Sequence, residues 1–484
     1  MARLLGIDVG TTGVRAAIFD EHGVLLAEAS EPCPCVVPAP GRAEADAESW
    51  WSAVCVVCRR LGQSSPLAEV DAVAVTGQAP TAVLLDAELR PLRTAILWLD
   101  VRADVEARSL EATLGPGRAE AIGGNRLHAY YLGPKLAWLR AHEPETLDRA
   151  ALVLQSHAFV ALRLTGEAAC EPSTAMLCAP LFDAGAGRWS DEAARAVGVP
   201  VRALPRIVRA HEPLGRVTRE AAGATGLREG TCVVAGGGDF AASALGAGVV
   251  DEGQACLMLG TAGNLLVPMT ERRFDARLIN SHHVGCERWL CLGGTLCGAT
   301  LEWFRRVFAP GVPWETLEQE AAAVEPAPGL VMLPYLQGER TPVWDERARG
   351  VLVGLDLAQA RGHVYRAVLD GIALGFRHCM DIAGEHGVRF AEVVAANGAG
   401  RSPLLRQTLA DALGVPLTWS STGGGGTLAG AAILAGLGAG VLGLPRFARS
   451  STAGVRHEPD PRARARLEAV FRRRMAIYQA LRDV

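Results

Sequence analysis

The chain has 484 residues, 49% of them hydrophobic, 21% charged and only 5% aromatic. That length exceeds one ordinary core, so two domains are expected, and a net charge of −4 gives no electrostatic reason to expect nucleic acid. Twelve scattered cysteines do not form the framework of a disulfide-stapled chain.

The first elements are the most informative. Leu4–Asp8 and Val14–Phe19 are apolar strand runs joined by the tight turn Gly10-Thr11-Thr12-Gly13. Such a turn offers backbone N–H groups and small hydroxyls to an anion, with no side chain blocking the approach. Asp8, closing the first strand, is placed to hold a divalent cation. Together these features suggest a nucleoside triphosphate and Mg²⁺. The chain opens directly on a strand, without a basic and apolar leader, so a cytoplasmic protein is expected.

Val24–Ala29 is a third strand, and Asp46–Leu61 a helix. Cys55 and Cys58 form a C-x-x-C within that helix, among Trp, Val and Ala, and read as buried thiols rather than a metal or redox pair. A buried strand, Val70–Thr76, ends at Gly77-Gln78. Val83–Asp86 is a short strand, and helices are expected over Lys135–His142 and Ser156–Leu164. Lys135 is the only lysine among 48 basic residues. It sits in Gly-Pro-Lys-Leu rather than Gly-Lys-Ser/Thr, which excludes a Walker loop, and a protein-kinase Val-Ala-x-Lys strand is likewise absent.

Near the middle, the strand Cys232–Ala235 runs into Gly236-Gly237-Gly238-Asp239 and the helical stretch Phe240–Leu245. Asp239 is a carboxylate on an approachable loop, where a general base would stand. The same pattern also serves as an ordinary helix cap. The second half then opens as the first did: strand Gln254–Leu259, turn Gly260-Thr261-Ala262-Gly263, strand Asn264–Val267. Two such turns could grip one polyphosphate from opposite sides. The domain boundary is expected near residues 246–252, giving domains of 1–247 and 248–484.

His282, His283 and Cys286 invite a metal reading but lack a second ligand cluster. The uncharged stretch Ala412–Pro445 is long enough to span a membrane. Pro416 and a run of four glycines break it, so a closely packed buried helix is expected instead. Leu467–Asp483 reads as a terminal helix with a polar face.

These residues resemble the FGGY carbohydrate kinases, of the actin/hexokinase-like ATPase superfamily, over nearly the whole chain. Gly350-Val-Leu-Val-Gly354-Leu355, seven residues, then His363-Val-Tyr-Arg-Ala367-Val-Leu-Asp370 fits the family's C-terminal signature. Tyr130, Lys135, Leu136, Trp138 and Leu139 fit the earlier signature, with Lys135 at its lysine position; Leu132 and Ala141 depart from it. The run from Leu333 to Asp345, with Glu339-Arg340-Thr341-Pro342, is similar to the xylulokinase-type branch, as is Asn397 to Pro403.

The resemblance implies an α/β chain of two ribonuclease-H-like (actin-like ATPase) domains with a catalytic cleft between them. Its implied activity is transfer of the γ-phosphate of MgATP to a hydroxyl of a small sugar, with a ketopentose such as D-xylulose leading. Another ketose or a polyol (ribulose, erythrulose, a glycerol-like acceptor), a silent sugar sensor and a non-sugar ATPase are the alternatives. Asp8 would be the metal-associated carboxylate and Asp239 the general base. Gly10, Thr11, Thr12, Gly260 and Thr261 would form the phosphate turns, and Asn397, Gly398 and Ala399 would lie against the adenosine. The expected partners are the sugar and MgATP, with no nucleic acid and no membrane; a homodimer stays open.

The acceptor side departs from xylulokinases. Gln78-Ala79-Pro80-Thr81 stands where Gln-Met-His-Gly is usual, and Phe240 follows Asp239 where Asn is usual. Gln78, Ala79, Pro80 and Phe240 are thus candidate sugar-site residues, with Trp98, Asp100, Arg102 and Tyr130. The ordinary alternative makes Trp98 and Tyr130 core aromatics, and Asp100 and Arg102 a surface pair.

Overall fold

The computed structural model describes residues 2–396, 400, 402–419, 425–443 and 454–482. In the first half, β1 (Arg3–Val9), β2 (Gly13–Asp20) and β3 (Leu25–Pro32) form an antiparallel meander. Helix α1 (Ala47–Gly62) follows, capped by Asp46, whose carboxylate accepts from the N–H of Glu48. β4 (Ala72–Gly77) then lies parallel to β1. Helices α2 (Leu132–His142) and α3 (Ser156–Thr165) precede β5 (Pro213–Arg216) and β6 (Cys232–Gly238). The sheet order is β5-β6-β4-β1-β2-β3, and α4 (Asp239–Gly246) leaves directly from the end of β6.

The second half repeats the plan. β7 (Gln254–Leu259) and β8 (Ala262–Met269) form the hairpin, extended by β9 (Ile279–His282) and β10 (Trp289–Leu296). After α5 (Gly298–Phe308) and the long α6 (Arg361–Glu385), β11 (Glu392–Ala396) joins parallel to β7. Helix α7 (Pro403–Leu413), β12 (Leu417–Trp419), α8 (Gly425–Gly438), β13 (Val455–His457) and α9 (Pro461–Leu481) complete it. The order β9-β10-β8-β7-β11-β12-β13 contains the same meander and parallel additions as the first sheet. The weak sequence echo is a strong topological one: both halves have the actin-like ATPase, ribonuclease-H-like arrangement.

The two sheets exchange helices. α8, from the second half, lies on the first sheet: its Leu428, Ala431, Ala432 and Leu434 share a core with Leu4, Ala17, Ala72 and Ala74. α4 reaches β7 and β8 of the second sheet and crosses α8. The crossing is backbone to backbone. A Cβ on Gly430 would strike the carbonyl of Ala242, and one on Gly246 the carbonyl of Gly426.

The described part of the stretch Ala412–Pro445 divides into the end of α7, β12 and α8, and no helix among the described residues is long and apolar enough to cross a membrane. Cys58 is fully buried, and burial pushes its thiol up to about 12. Cys55 shifts the same way for the same reason, and all twelve cysteines are free.

Because neither helix backbone can retreat at the crossing, Gly430→Ala should destabilise the protein by about 1–3 kcal/mol, the usual cost of overpacking. Differential scanning calorimetry would read this as a lowered midpoint.

Candidate active site

The β1–β2 register places Asp8 opposite Arg15. Arg15 Nη2 lies 2.7 Å from Asp8 Oδ2. Thr76, at the end of β4, donates from Oγ1 to the carbonyl of Ile7 at 3.2 Å and more weakly to Asp8 Oδ1 at 3.4 Å. Asp8 is 3% exposed, and burial raises its carboxyl above the ordinary range against the pull of Arg15 and Thr76.

Asp239 comes to the same place from β6. The strand ends in a bulge: pairing with β4 slips between Val234 and Gly237, and Gly236 takes φ +76°. Only glycine fits there, since a Cβ would run into the carbonyl of Val75. Ser173 Oγ accepts from the N–H of Gly238 at 3.2 Å and donates to Glu171 Oε1 at 2.8 Å, bracing the loop from behind. The first residue of α4 is therefore Asp239, whose Oδ1 accepts from the N–H of Phe240 at 2.6 Å. Withdrawal from water, and then the charge of Asp8, push the Asp239 carboxyl up to about 7; the Phe240 N–H and Arg15 act the other way.

Each hairpin ends in its glycine–threonine turn. The N–H of Gly10 donates to the carbonyl of Gly13 at 3.0 Å, and the carbonyl of Thr12 accepts from Cys33. In the second turn the carbonyls of Gly260 and Thr261 accept from Gly298 and Ala299 at the start of α5, at 2.9 and 3.0 Å. Thr12 and Thr261 are exposed. Asn397, Gly398 and Ala399 lie outside the described residues.

Among the residues expected to meet the sugar, Trp98 Nε1 donates to Thr11 Oγ1 at 3.0 Å, so this aromatic is tied to the first glycine–threonine turn. Gln78 faces the same turn: Oε1 accepts from Thr11 at 3.3 Å and Nε2 donates to the carbonyl of Gly10 at 3.3 Å. Tyr130 Oη donates to the carbonyl of Ala79 at 3.3 Å, and the Trp98 and Tyr130 rings meet edge-on, 6.5 Å apart. Phe240 is buried in the cluster that holds Ala79 and Tyr130, its ring folded against Gly238. Pro80 is buried as well.

Asp100 and Arg102 are not the surface pair offered as the ordinary alternative. Asp100 is 0% exposed, and its carboxylate accepts from the N–H of Ala43 at 2.7 Å and from Arg102 Nη2 at 2.6 Å. Arg102 Nη2 also lies 2.6 Å from Glu44, which Arg93 shares. Burial made this pairing necessary, because an isolated buried charge is costly. Both side chains are engaged with neighbours rather than open to a ligand.

His282, His283 and Cys286 are likewise engaged locally. The N–H of Gly285 donates to His283 Nδ1, Nε2 lies 3.1 Å from the carbonyl of Val249, and burial lowers this imidazole to about 4. Among the described residues no group of three His, Cys, Asp or Glu is placed to hold a metal.

Sequence reasoning missed two arginines. Arg15 was legible, since counting back from the turn pairs it with Asp8. Arg340 was not: it comes from the second half of the chain and lays its guanidinium over the Tyr130 ring at 4.4 Å and the Trp98 ring at 5.7 Å. Four residues on, Trp344 adopts φ +54°, rare for a bulky residue, with its indole donating to the carbonyl of Arg277 at 2.8 Å.

Two sheets of like topology, each with its own glycine–threonine hairpin turn, give the architecture of the actin-like ATPase class. The N-terminal domain of the FGGY family of carbohydrate kinases matches residues 3–246 and its C-terminal domain residues 256–439, and the chain belongs to this family. It is a carbohydrate kinase. It is 35% identical over 436 residues to a xylulose kinase of Escherichia coli (strain K12), covering 89% of each chain. To a glycerol kinase of Gloeobacter violaceus it is 31% identical over 455 residues, covering 91% of this chain and 89% of the relative. The crystal structure of xylulose kinase from Rhodospirillum rubrum superposes with a TM-score of 0.91 at 30% identity, over 99% of each chain.

The elevated Asp239 carboxyl has a consequence for stability. Folding favours its neutral form, so its contribution is complete below the ordinary carboxylate value of 3.8 and is lost as pH rises through about 7. Asp239→Asn removes that loss. The variant should melt a few degrees above wild type at pH 8, with the gap closing as pH falls toward 4. Equal midpoints at pH 8 would sink the assignment of a raised carboxyl.

Proposed function

We propose that the protein phosphorylates a ketopentose, with D-xylulose the first candidate, using MgATP as donor. The observation that carries this reading is the pairing of Asp8 and Asp239 beside the first phosphate turn, with an aromatic acceptor wall tied to that same turn through Trp98 and Thr11. Relatives named xylulose kinases support the acceptor class.

In this reading Gly10–Thr12 and Gly260–Thr261 hold the polyphosphate from opposite sides, and Asp239 takes the proton of the attacking sugar hydroxyl. A carboxyl titrating near 7 suits that work, because it is substantially ionised at neutral pH and still basic enough to accept a proton. Two neighbouring carboxylates, with phosphate oxygens completing the shell, are the donor set magnesium takes in phosphotransfer sites. Asp8 would hold the ion, which when bound neutralises phosphate charge. Residues 1–247 form the sugar side and residues 248–484 the nucleotide side, with α8 the exception, since it packs on the first sheet.

Ala79, Pro80 and Phe240 favour a second reading for acceptor choice, another ketose or a polyol. Apolar groups cannot satisfy the hydroxyls that a polar pocket would.

A panel of ketoses, aldoses and polyols with a coupled ADP-release readout tests both. D-xylulose should give the highest kcat/KM; a panel with no turnover above background ATP hydrolysis would overturn the kinase reading for these acceptors. Asp239→Ala should lower sugar-dependent turnover by about 10²–10⁴-fold, the usual contribution of a positioned base, while nucleotide binding by calorimetry is kept. Unchanged turnover removes Asp239 from its role.

A further inference from the structure

We propose that Lys135 is a positioning residue for the acceptor, clamping the segment that carries Trp98 to the segment that carries Tyr130. The inference rests on the sugar-kinase reading above.

The only lysine of the chain is 0% exposed, on α2. Its Nζ donates to the carbonyl of Leu97 at 2.8 Å and to the carbonyl of Tyr130 at 2.9 Å. Those carbonyls belong to the residue just before Trp98 and to Tyr130 itself. One buried nitrogen therefore joins two segments that lie 33 positions apart in sequence, counting from Leu97 to Tyr130. An amine buried without acceptors is costly, and here two backbone carbonyls receive its N–H groups.

The clamp reaches further than the two aromatics. Trp98 is bonded to Thr11 of the first phosphate turn, and Tyr130 to the carbonyl of Ala79 beside Gln78. Lys135 thus sets the distance between the aromatic wall and the phosphate turn, without touching either ligand. Arg340 lies over the same two rings, 5.7 Å from that of Trp98 and 4.4 Å from that of Tyr130.

Asp100, Arg102 and Arg340 are the charges that act on Lys135. Withdrawal from water lowers its ammonium to about 7, with Asp100 opposing and Arg102 and Arg340 reinforcing. Lys135 is fully buried, so its reactivity toward an amine reagent is limited by access.

Two measurements test the role. Lys135→Met keeps most of the side-chain length and removes both hydrogen bonds. The sugar KM should rise about tenfold, the scale of one lost buried hydrogen bond, while the KM for ATP stays within about twofold. A sugar KM that does not move, or that moves together with the ATP KM, overturns the proposal. If the variant does not fold, the wild-type protein supplies the second measurement. Acetic anhydride labelling at pH 8, followed by mass spectrometry of the Lys135 peptide, should be slowed several-fold by the preferred sugar and unaffected by ATP alone. A labelling rate indifferent to sugar overturns the proposal just as plainly. A wild-type enzyme that turns over no sugar would instead remove the kinase reading beneath it.

Discussion

Two carboxylates that repel each other, with one arginine to moderate them, are the constraint around which this molecule is arranged. Asp8 and Asp239 come from the ends of different strands, and the charge of Asp8 helps hold Asp239 near 7. Arg15 binds Asp8 directly and acts on Asp239 only through space, while burial raises both carboxyls.

Holding that pair requires backbone that no side chain could replace. The bulge at Gly236 lets β6 finish against Val75 and still bring Asp239 beside Asp8, and Ser173 and Glu171 brace it from behind. On the other side, the hairpin turn is tied to the Trp98–Tyr130 pair by the indole of Trp98. The turn and the aromatic pair are therefore not independent. A shift in the aromatic wall is felt at the turn within two hydrogen bonds, and small displacements of reacting groups are expensive in rate.

What was legible in the sequence was local. Hairpins, their glycine turns and the repeat of the pattern can be read from a dozen consecutive residues, and the sheets follow those readings closely. The strand Cys232–Ala235 was read too short, because three glycines look like a loop, yet they continue the strand through a bulge. Asp100 and Arg102 illustrate the opposite limit. Their spacing suggests either ligand contact or a surface pair, and only the arrival of Glu44 and the Ala43 amide, more than forty positions away, makes them a buried network. Arg340 lies about two hundred positions from the aromatics it covers, and no local pattern announces such a contact.

The crossing of α4 and α8 bears on how such a chain can be divided. Each sheet is covered in part by a helix that the other half encodes, and the two helices touch through glycine with no side chains between them. A gene fragment ending at the apparent boundary would leave Leu4, Ala17, Ala72 and Ala74 without their covering helix. The duplication visible in the sheets is therefore no longer a pair of interchangeable modules. The halves have become obligate complements, and recombination or circular permutation in this scaffold would have to carry residues 425–438 along with the first sheet.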